Sequence, residues 1–367
     1  MNTQTKPLSE LINDFPLSHK VNGDISGCTI TGISFDSRTV KPGHVFVAFP
    51  GINSDGHNFI GRAVTNGAIA VVGQWENIIC KVPYIQVENS RQAIAHLAAS
   101  FYGHPARKLT VIGVTGTDGK TTTSNLIYQI LLAAGIKAGL ITTVNAQIGD
   151  ETIDTGFHVT TPEATEIQEY LSRMVTAGLT HVVLETTSHG LAQHRADGCE
   201  YDIAVVTNIT HEHLDFHGSY EGYFTAKARL FHMLEETVEK PQGNPRLAVL
   251  NADDRSYLPL CEIVKTRKVS YSVEGEGDIQ AEEIEQTSKG LHFVAKMKNI
   301  RQVIDCQIPG LFNVSNCLAA FAATVVGLGI EPPTAARGIS ELKGIPGRME
   351  AIDLGQPFIA IVDFAHT

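Results

Sequence analysis

The segment LTVIGVTGTDGKTTTSNLIYQILLAAG (109–135) constrains the chain more than any other. LTVIGV suits a buried strand, the glycines after it suit a turn, and the apolar spacing beyond predicts a helix over 121–134. That order of elements makes a seat for polyphosphate. Gly116 and Gly119 let backbone N–H groups turn inward, the helix start presents the positive end of its dipole, and Lys120 adds a full charge. Thr121 stands beside Lys120, where a hydroxyl ligates Mg²⁺ in loops of this kind. Thr117, Asp118 and Thr122 complete the loop. The stretch departs from the standard spacing at its first position, where Val114 replaces glycine. A plain Gly/Thr-rich turn is the bland alternative; the flanking strand and helix favour phosphate.

The elements around this loop follow a strand–helix alternation that predicts a mostly parallel sheet. Strands are expected at 109–114, 138–144, 181–187, 201–209 and 246–251, with helices at 163–177 and 219–236. Residues 268–308 read as antiparallel strands, with a turn at 288–290, and an apolar helix begins near Asn313. Before the loop, residues 1–106 form a small α/β unit that ends at the helix stop around Gly103 and Pro105. A central domain covers 107–345, and residues 346–367 begin a third. There FIAIVDFA (358–365) reads as a fully buried strand without neighbours, so the chain is expected to be truncated, or a third domain to come from elsewhere.

Bulk properties narrow the function. With 43% apolar and 18% charged residues, the chain is a folded globular protein. A net charge of −11 argues against nucleic acid as a partner. The start lacks a signal peptide, and no stretch approaches the ~20 apolar residues of a membrane helix. Six scattered cysteines without a C-x-x-C pair suit a reducing compartment. A cytoplasmic protein without membrane contact is expected.

In an open parallel sheet, ligands gather at the carboxyl ends of strands. Glu185 and Asn208 fall at such ends, followed by HEHLDFH (211–217). Glu185 is the natural metal ligand opposite Thr121, and His213 can reach a second ion. The run His211, His213, Asp215, His217 also lies one residue away from the H-x-H-x-D-H signature of dinuclear zinc hydrolases. Solvated loop histidines are the plain alternative.

GTDGKTTT (116–123), TTPEATE (160–166), ETTSHGLAQHR (185–195), TNITHEHLDFHG (207–218) and YFTAKARLF (223–231), with DSRTVKPGHVFVAFPG and SDGHNFI earlier, closely resemble the Mur ligases across essentially the whole chain. The best resemblance is to the type that adds the third amino acid to UDP-N-acetylmuramoyl-L-Ala-D-Glu. It implies an N-terminal UDP-binding domain, a P-loop ATPase-like central domain and a truncated C-terminal Rossmann-like domain. It also implies an ATP-dependent amide ligase working through an acyl phosphate, with Mg²⁺, a UDP-muramoyl-dipeptide, a free amino acid and a monomeric state.

By this resemblance Lys120 holds the ATP phosphates, Thr121 and Glu185 hold one Mg²⁺, and His213 helps hold a second. Lys227 falls on the family's carbamylated lysine, a modification that turns a cation into an oxygen ligand. A solvated helix lysine is its alternative. Asn313 and Asn316 resemble the adenine-side asparagines, while Arg348 and Asp363 resemble further ATP contacts. An asparagine at a helix start can instead be a cap. Ser37 and Arg38, with His57 nearby, look like the uridine-diphosphate end. Thr160, Thr161, Thr187, Gln193 and Arg195 look like muramoyl-peptide contacts. Thr187 replaces the family's usual serine and Asp118 its commoner asparagine. Weak binding and poor turnover are expected of the chain at this length. The nearest alternatives are a non-catalytic binding fragment and a folylpolyglutamate synthase-like ligase.

Overall fold

The computed structural model of the chain describes residues 5–51, 54–154, 161–287, 290–348, 350–352, 354–356, 358 and 360–363. Two compact units emerge. One comprises Met1–Pro105, Glu163–Ser172 and Gln193–Cys199; the other comprises Ala106–Pro162, Arg173–Ala192 and Glu200–Thr367.

The first unit is built on a five-stranded sheet of β1 (His19–Asn22), β2 (Gly32–Ser34), β3 (His44–Val47), β4 (Ala70–Gly73) and β5 (Tyr84–Val87), in the order β1-β5-β4-β3-β2. Strands β2 to β5 are parallel, and β1 runs antiparallel at one edge. Successive side chains of β3 point to opposite faces, and both faces are covered, so the strand is apolar throughout. Val45 and Val47 pack with Ala93, Ile94 and Leu97 of α1 (Ser90–Phe101). Phe46 packs on the other side with Ile60 and Ala63. Asn89 caps α1, its side chain accepting the N–H groups of Arg91 and Gln92.

The second unit contains an eleven-stranded sheet: β6 (Thr110–Thr115), β7 (Ala138–Ile141), β8 (Asn145–Ile148), β9 (Glu151–Asp154), β10 (His181–Glu185), β11 (Ile203–Val206), β12 (Leu247–Asn251), β13 (Arg267–Ser272), β14 (Ile279–Thr287), β15 (Gly290–Met297) and β16 (Ile300–Cys306). Their order is β9-β8-β7-β10-β6-β11-β12-β13-β14-β15-β16. From β7 to β14 all neighbours are parallel. The antiparallel expectation for 268–308 therefore holds only for its later strands. Residues 269–272 are buried in succession, on both faces, which is the environment of a parallel strand.

Helix α2 (Lys120–Ala133) covers β6, with α3 (Ala164–Thr176), α4 (Ser188–Ala192), α5 (Tyr220–Glu236), α6 (Phe312–Phe321) and α7 (Pro332–Glu341) completing the helices that matter here. Ile112 and Val114 of β6 share one core with Ile127 and Ile130 of α2 and with Leu318 and Phe321 of α6. A buried ion pair fixes the base of β6. Lys240 Nζ lies 2.5 Å from Asp202 Oδ2 and also donates to the carbonyls of Leu109 and Glu200, while Asp202 accepts the Val111 N–H at 2.7 Å.

Near the end, β17 (Glu350–Ile352) pairs antiparallel with β18 (Ala360–Val362). Phe358 is 67% exposed and Val362 is also exposed, so this strand is not the fully buried one expected. Pairing with β17 satisfies one side of its backbone while Val362 stays exposed.

Candidate functional site

Three neighbouring strands end at one place. Register pairs Glu185 of β10 with Val114 of β6, and Val206 of β11 with Thr115 of β6. The glycine loop (116–119) thus emerges between Glu185 on one side and Thr207–His213 on the other. Adjacent carboxyl ends of parallel strands bring together residues about ninety positions apart in sequence.

The loop is tightly seated. Gly116 has φ +153 and Gly119 φ +79; a β-carbon on the first would stand 1.8 Å from Thr207 Oγ1, and one on the second 2.2 Å from Asn316 Oδ1. Asn208 takes the N–H of Thr117 through its carbonyl and that of Asp118 through its side chain. Thr117 Oγ1 accepts the Thr210 N–H at 2.9 Å and the Tyr223 hydroxyl at 3.1 Å. Gly119 is the N-cap of α2 and offers no capping side chain. The first-turn N–H groups, from Lys120 to Thr122, lack intrahelical acceptors and form an anion-binding end. Lys120 Nζ folds back onto the Thr117 carbonyl at 2.6 Å.

Opposite the loop, Glu185 is buried. Its Oε2 accepts the Thr121 hydroxyl at 2.9 Å and the Thr143 N–H at 3.3 Å, whereas Oε1 is buried with no hydrogen-bond partner among the described residues. Burial pushes this carboxyl up, and the Lys120 charge partly offsets it. An orphaned carboxylate oxygen beside a threonine hydroxyl fits a hard divalent cation. Mg²⁺ takes one or two protein oxygens and completes its shell with water and phosphate.

Lys227, on α5, is fully enclosed. Its Nζ donates to the Gly116 carbonyl at 2.5 Å and lies 4.5 Å over the Tyr223 ring. Burial lowers its pKa well below the ordinary lysine value, and the neighbouring Lys120 charge adds to the effect. The solvated-lysine alternative does not describe this side chain. A neutral buried amine is the form that reacts with CO₂, giving a carbamate and a released proton.

His213 sits in the left-handed region at φ +54, its Nε2 3.6 Å from Glu212 Oε2 and its ring centroid 4.7 Å from that of His189. His211 turns elsewhere, to Arg255 at 3.3 Å and the Tyr220 ring. Among the described residues, no three His, Cys, Asp or Glu side chains converge as a metal cluster, which removes the geometric basis of a dinuclear zinc centre.

Asn316 accepts the Thr123 hydroxyl at 3.2 Å and donates to Asn313 Oδ1 at 2.8 Å, and Asn313 donates to the Pro309 carbonyl, so neither acts as a helix cap. Arg348 lies within electrostatic range of Lys120 and Glu185. Asp363 is exposed beyond β18. The Thr161 and Thr187 hydroxyls meet at 2.9 Å, and Thr187 in turn accepts the Gly190 N–H. Thr160 lies outside the described residues.

In the first unit, Arg195 bonds Gln193 at 3.0 Å and Glu163 at 2.9 Å. Arg38 is paired with Asp36, Ser37 is buried, and His57 is buried with both ring nitrogens bonded. Sequence reasoning missed Tyr223, Glu212 and His189. Tyr223 stands four residues before Lys227, on the same helix face, and that spacing was a usable signal.

Residues 114–324 match the Mur ligase middle domain, and residues 29–102 match the Mur ligase family, catalytic domain. The chain belongs to the Mur ligase family. It is 43% identical over 349 residues to UDP-N-acetylmuramyl-tripeptide synthetase of Roseiflexus sp. (strain RS-1), covering 92% of this chain and 68% of that protein. Identity is 41% over 338 residues to UDP-N-acetylmuramoyl-L-alanyl-D-glutamate--2,6-diaminopimelate ligase of Geobacillus thermodenitrificans (strain NG80-2), with the same coverage of 92% and 68%. A solved structure of a UDP-N-acetylmuramoyl-L-alanyl-D-glutamate--2,6-diaminopimelate ligase superposes with a TM-score of 0.81 at 28% identity, over 95% of this chain and 70% of that one. No helix among the described residues of this Mur ligase is long and apolar enough to cross a membrane.

Proposed function

We propose that this Mur ligase joins an amino acid to UDP-N-acetylmuramoyl-L-alanyl-D-glutamate at the expense of ATP, through an acyl phosphate. The observation that carries this reading is the meeting of the Lys120 loop, the Thr121–Glu185 pair and buried Lys227 at adjacent strand ends. Phosphoryl transfer needs positioning and charge neutralisation more than covalent help. The Lys120 ammonium and the first-turn N–H groups of α2 hold the ATP phosphates. The Thr121 hydroxyl and Glu185 Oε1 would hold one Mg²⁺, and His213 with carbamylated Lys227 a second. When bound, such ions supply charge stabilisation for the transferring phosphoryl group. Asn313, Asn316, Arg348 and Asp363 serve the nucleotide. Thr160, Thr161, Thr187, Gln193 and Arg195 serve the muramoyl peptide, and Ser37, Arg38 and His57 border the uridine-diphosphate end.

Residues 1–106 form the UDP-binding domain, 107–345 the ATP-binding domain, and 346–367 the start of a third. A cytoplasmic monomer fits this role. The first-domain match to the Mur ligase family favours it over a folylpolyglutamate synthase-like ligase. ADP formation that requires both ATP–Mg²⁺ and UDP-N-acetylmuramoyl-L-Ala-D-Glu supports the proposal. ADP formation with a folate and glutamate instead, or zinc-dependent hydrolysis without ATP, overturns it.

A further inference from the structure

His194 is held in a backbone conformation that its residue type disfavours. Its φ is +58, in the left-handed region where a β-carbon crowds the backbone carbonyl, and it stands between Gln193 and Arg195. Such a conformation persists where the surroundings over-determine it. Here both ring nitrogens are tied down. Nδ1 lies 2.8 Å from Asp197 Oδ2, and Nε2 lies 3.0 Å from Asn89 Nδ2. Asp197 is buried, and Asn89 is the cap of α1.

The direction of each bond follows from Asn89. Its Oδ1 already accepts the N–H groups of Arg91 and Gln92, at 3.0 and 3.2 Å, so its Nδ2 faces the histidine. An amide nitrogen only donates, which makes His194 Nε2 the acceptor and leaves the ring proton on Nδ1 for Asp197. The ring is thus a strut between a helix cap and a buried carboxylate. The segment around it is seated on α1: a β-carbon on Gly198 would stand 3.1 Å from Ala99 Cβ, and the Gly198 carbonyl accepts from Gln168 Nε2 at 3.2 Å. On either side of the strut, Arg195 Nε donates to Gln193 Oε1 at 3.0 Å, and Arg195 Nη2 reaches Glu163 Oε1 at 2.9 Å. All of these residues belong to the first unit.

We propose that His194 is a positioning residue: its ring, braced between Asn89 and Asp197, fixes the turn that presents Gln193 and Arg195 as one pair to the muramoyl-peptide part of UDP-N-acetylmuramoyl-L-Ala-D-Glu. The inference rests on the ligase reading, from which those two side chains take their role. His194 itself touches no substrate in this scheme. A guanidinium and an amide ordered in advance lose little freedom on binding, so the order imposed by the strut appears as affinity. Loss of the strut releases the turn and both side chains, and the cost falls on the muramoyl-peptide part rather than on UDP.

Calorimetry on the full chain, with UDP-N-acetylmuramoyl-L-Ala-D-Glu and with UDP, tests this. His194→Gly removes the ring and takes φ +58 without strain. It should weaken the muramoyl-dipeptide by about tenfold, the cost of ordering two rotamer-rich side chains on binding, and leave UDP within about twofold. Asn89→Ser keeps a helix cap and removes only the bond to Nε2, so it should weaken the muramoyl-dipeptide by about threefold, with UDP again within about twofold. Because both changes break one strut, the double variant should bind no more weakly than His194→Gly alone. Thermal melts confirm that each variant is folded, and Asn89→Ser carries the test by itself should His194→Gly not fold. Muramoyl-dipeptide affinity unchanged in the single variants, an equal loss for UDP, or losses that add in the double variant overturn the role of His194 and leave the ligase reading standing. A folded parent chain that binds ATP and ignores the muramoyl-dipeptide overturns both.

Discussion

Glu185→Gln should strip nucleotide binding of its Mg²⁺ dependence while tightening binding in the absence of metal. Glutamine keeps the shape of the side chain, and its amide oxygen can retain the bonds from Thr121 and Thr143. Stability should therefore change by no more than about 1 kcal/mol. The electrostatic consequences are larger and of opposite sign. Without metal, a carboxylate about 5 Å from a phosphate charge, at an effective dielectric of about 20, opposes binding by about 3 kcal/mol before screening. Its removal should tighten metal-free binding of a non-hydrolysable ATP analogue by about tenfold after screening. With metal, the same change deletes a ligand and should cost at least about tenfold in metal affinity. The gain in affinity on adding Mg²⁺ should consequently shrink by about a hundredfold relative to the parent. Isothermal titration with and without Mg²⁺ measures both arms. A variant that keeps the parent's Mg²⁺ gain refutes Glu185 as a metal ligand.

Lys227→Met tests the buried amine through stability. Because its pKa is depressed in the fold, Lys227 favours the folded state most above the ordinary lysine value, and that advantage is lost as pH falls toward the lowered folded value. Thermal melts in CO₂-free buffer should show the methionine variant gaining on the parent as pH is lowered through that window; parallel curves would contradict the assignment. Gly119→Ala forces a β-carbon to 2.2 Å from Asn316 Oδ1 at φ +79, so it should lose about 1–2 kcal/mol of stability and most nucleotide affinity, as read by denaturation and titration. Lys240→Met leaves buried Asp202 without its cation and should cost about 3–5 kcal/mol in urea unfolding.

What was legible in the sequence was local. The strand, glycine turn and helix at 109–135 needed only periodicity and punctuation, and the structure places them at Thr110–Thr115 and Lys120–Ala133. Glu185 was readable as the polar end of an apolar strand. The burial of Lys227 was not: on its own helix it reads as a solvated lysine, and only the packing of α5 against a loop 111 residues away encloses it. His57 is expected near the uridine-diphosphate end; its stacking on Trp75 and the engagement of both its nitrogens, by Asp55 and Gln74, are set by the fold and were not readable in the sequence. The parallel pairing of β13 and β14 depended on neighbours that no local pattern specifies.

The most direct measurement is a crystal structure of the chain with a non-hydrolysable ATP analogue and Mn²⁺, read by anomalous scattering. The account predicts terminal phosphates against Lys120 and the first turn of α2, with an anomalous peak bonded to Thr121 Oγ1 and Glu185 Oε1. Phosphates bound away from the 116–121 loop, or a Mn²⁺ peak that touches neither side chain, would contradict it.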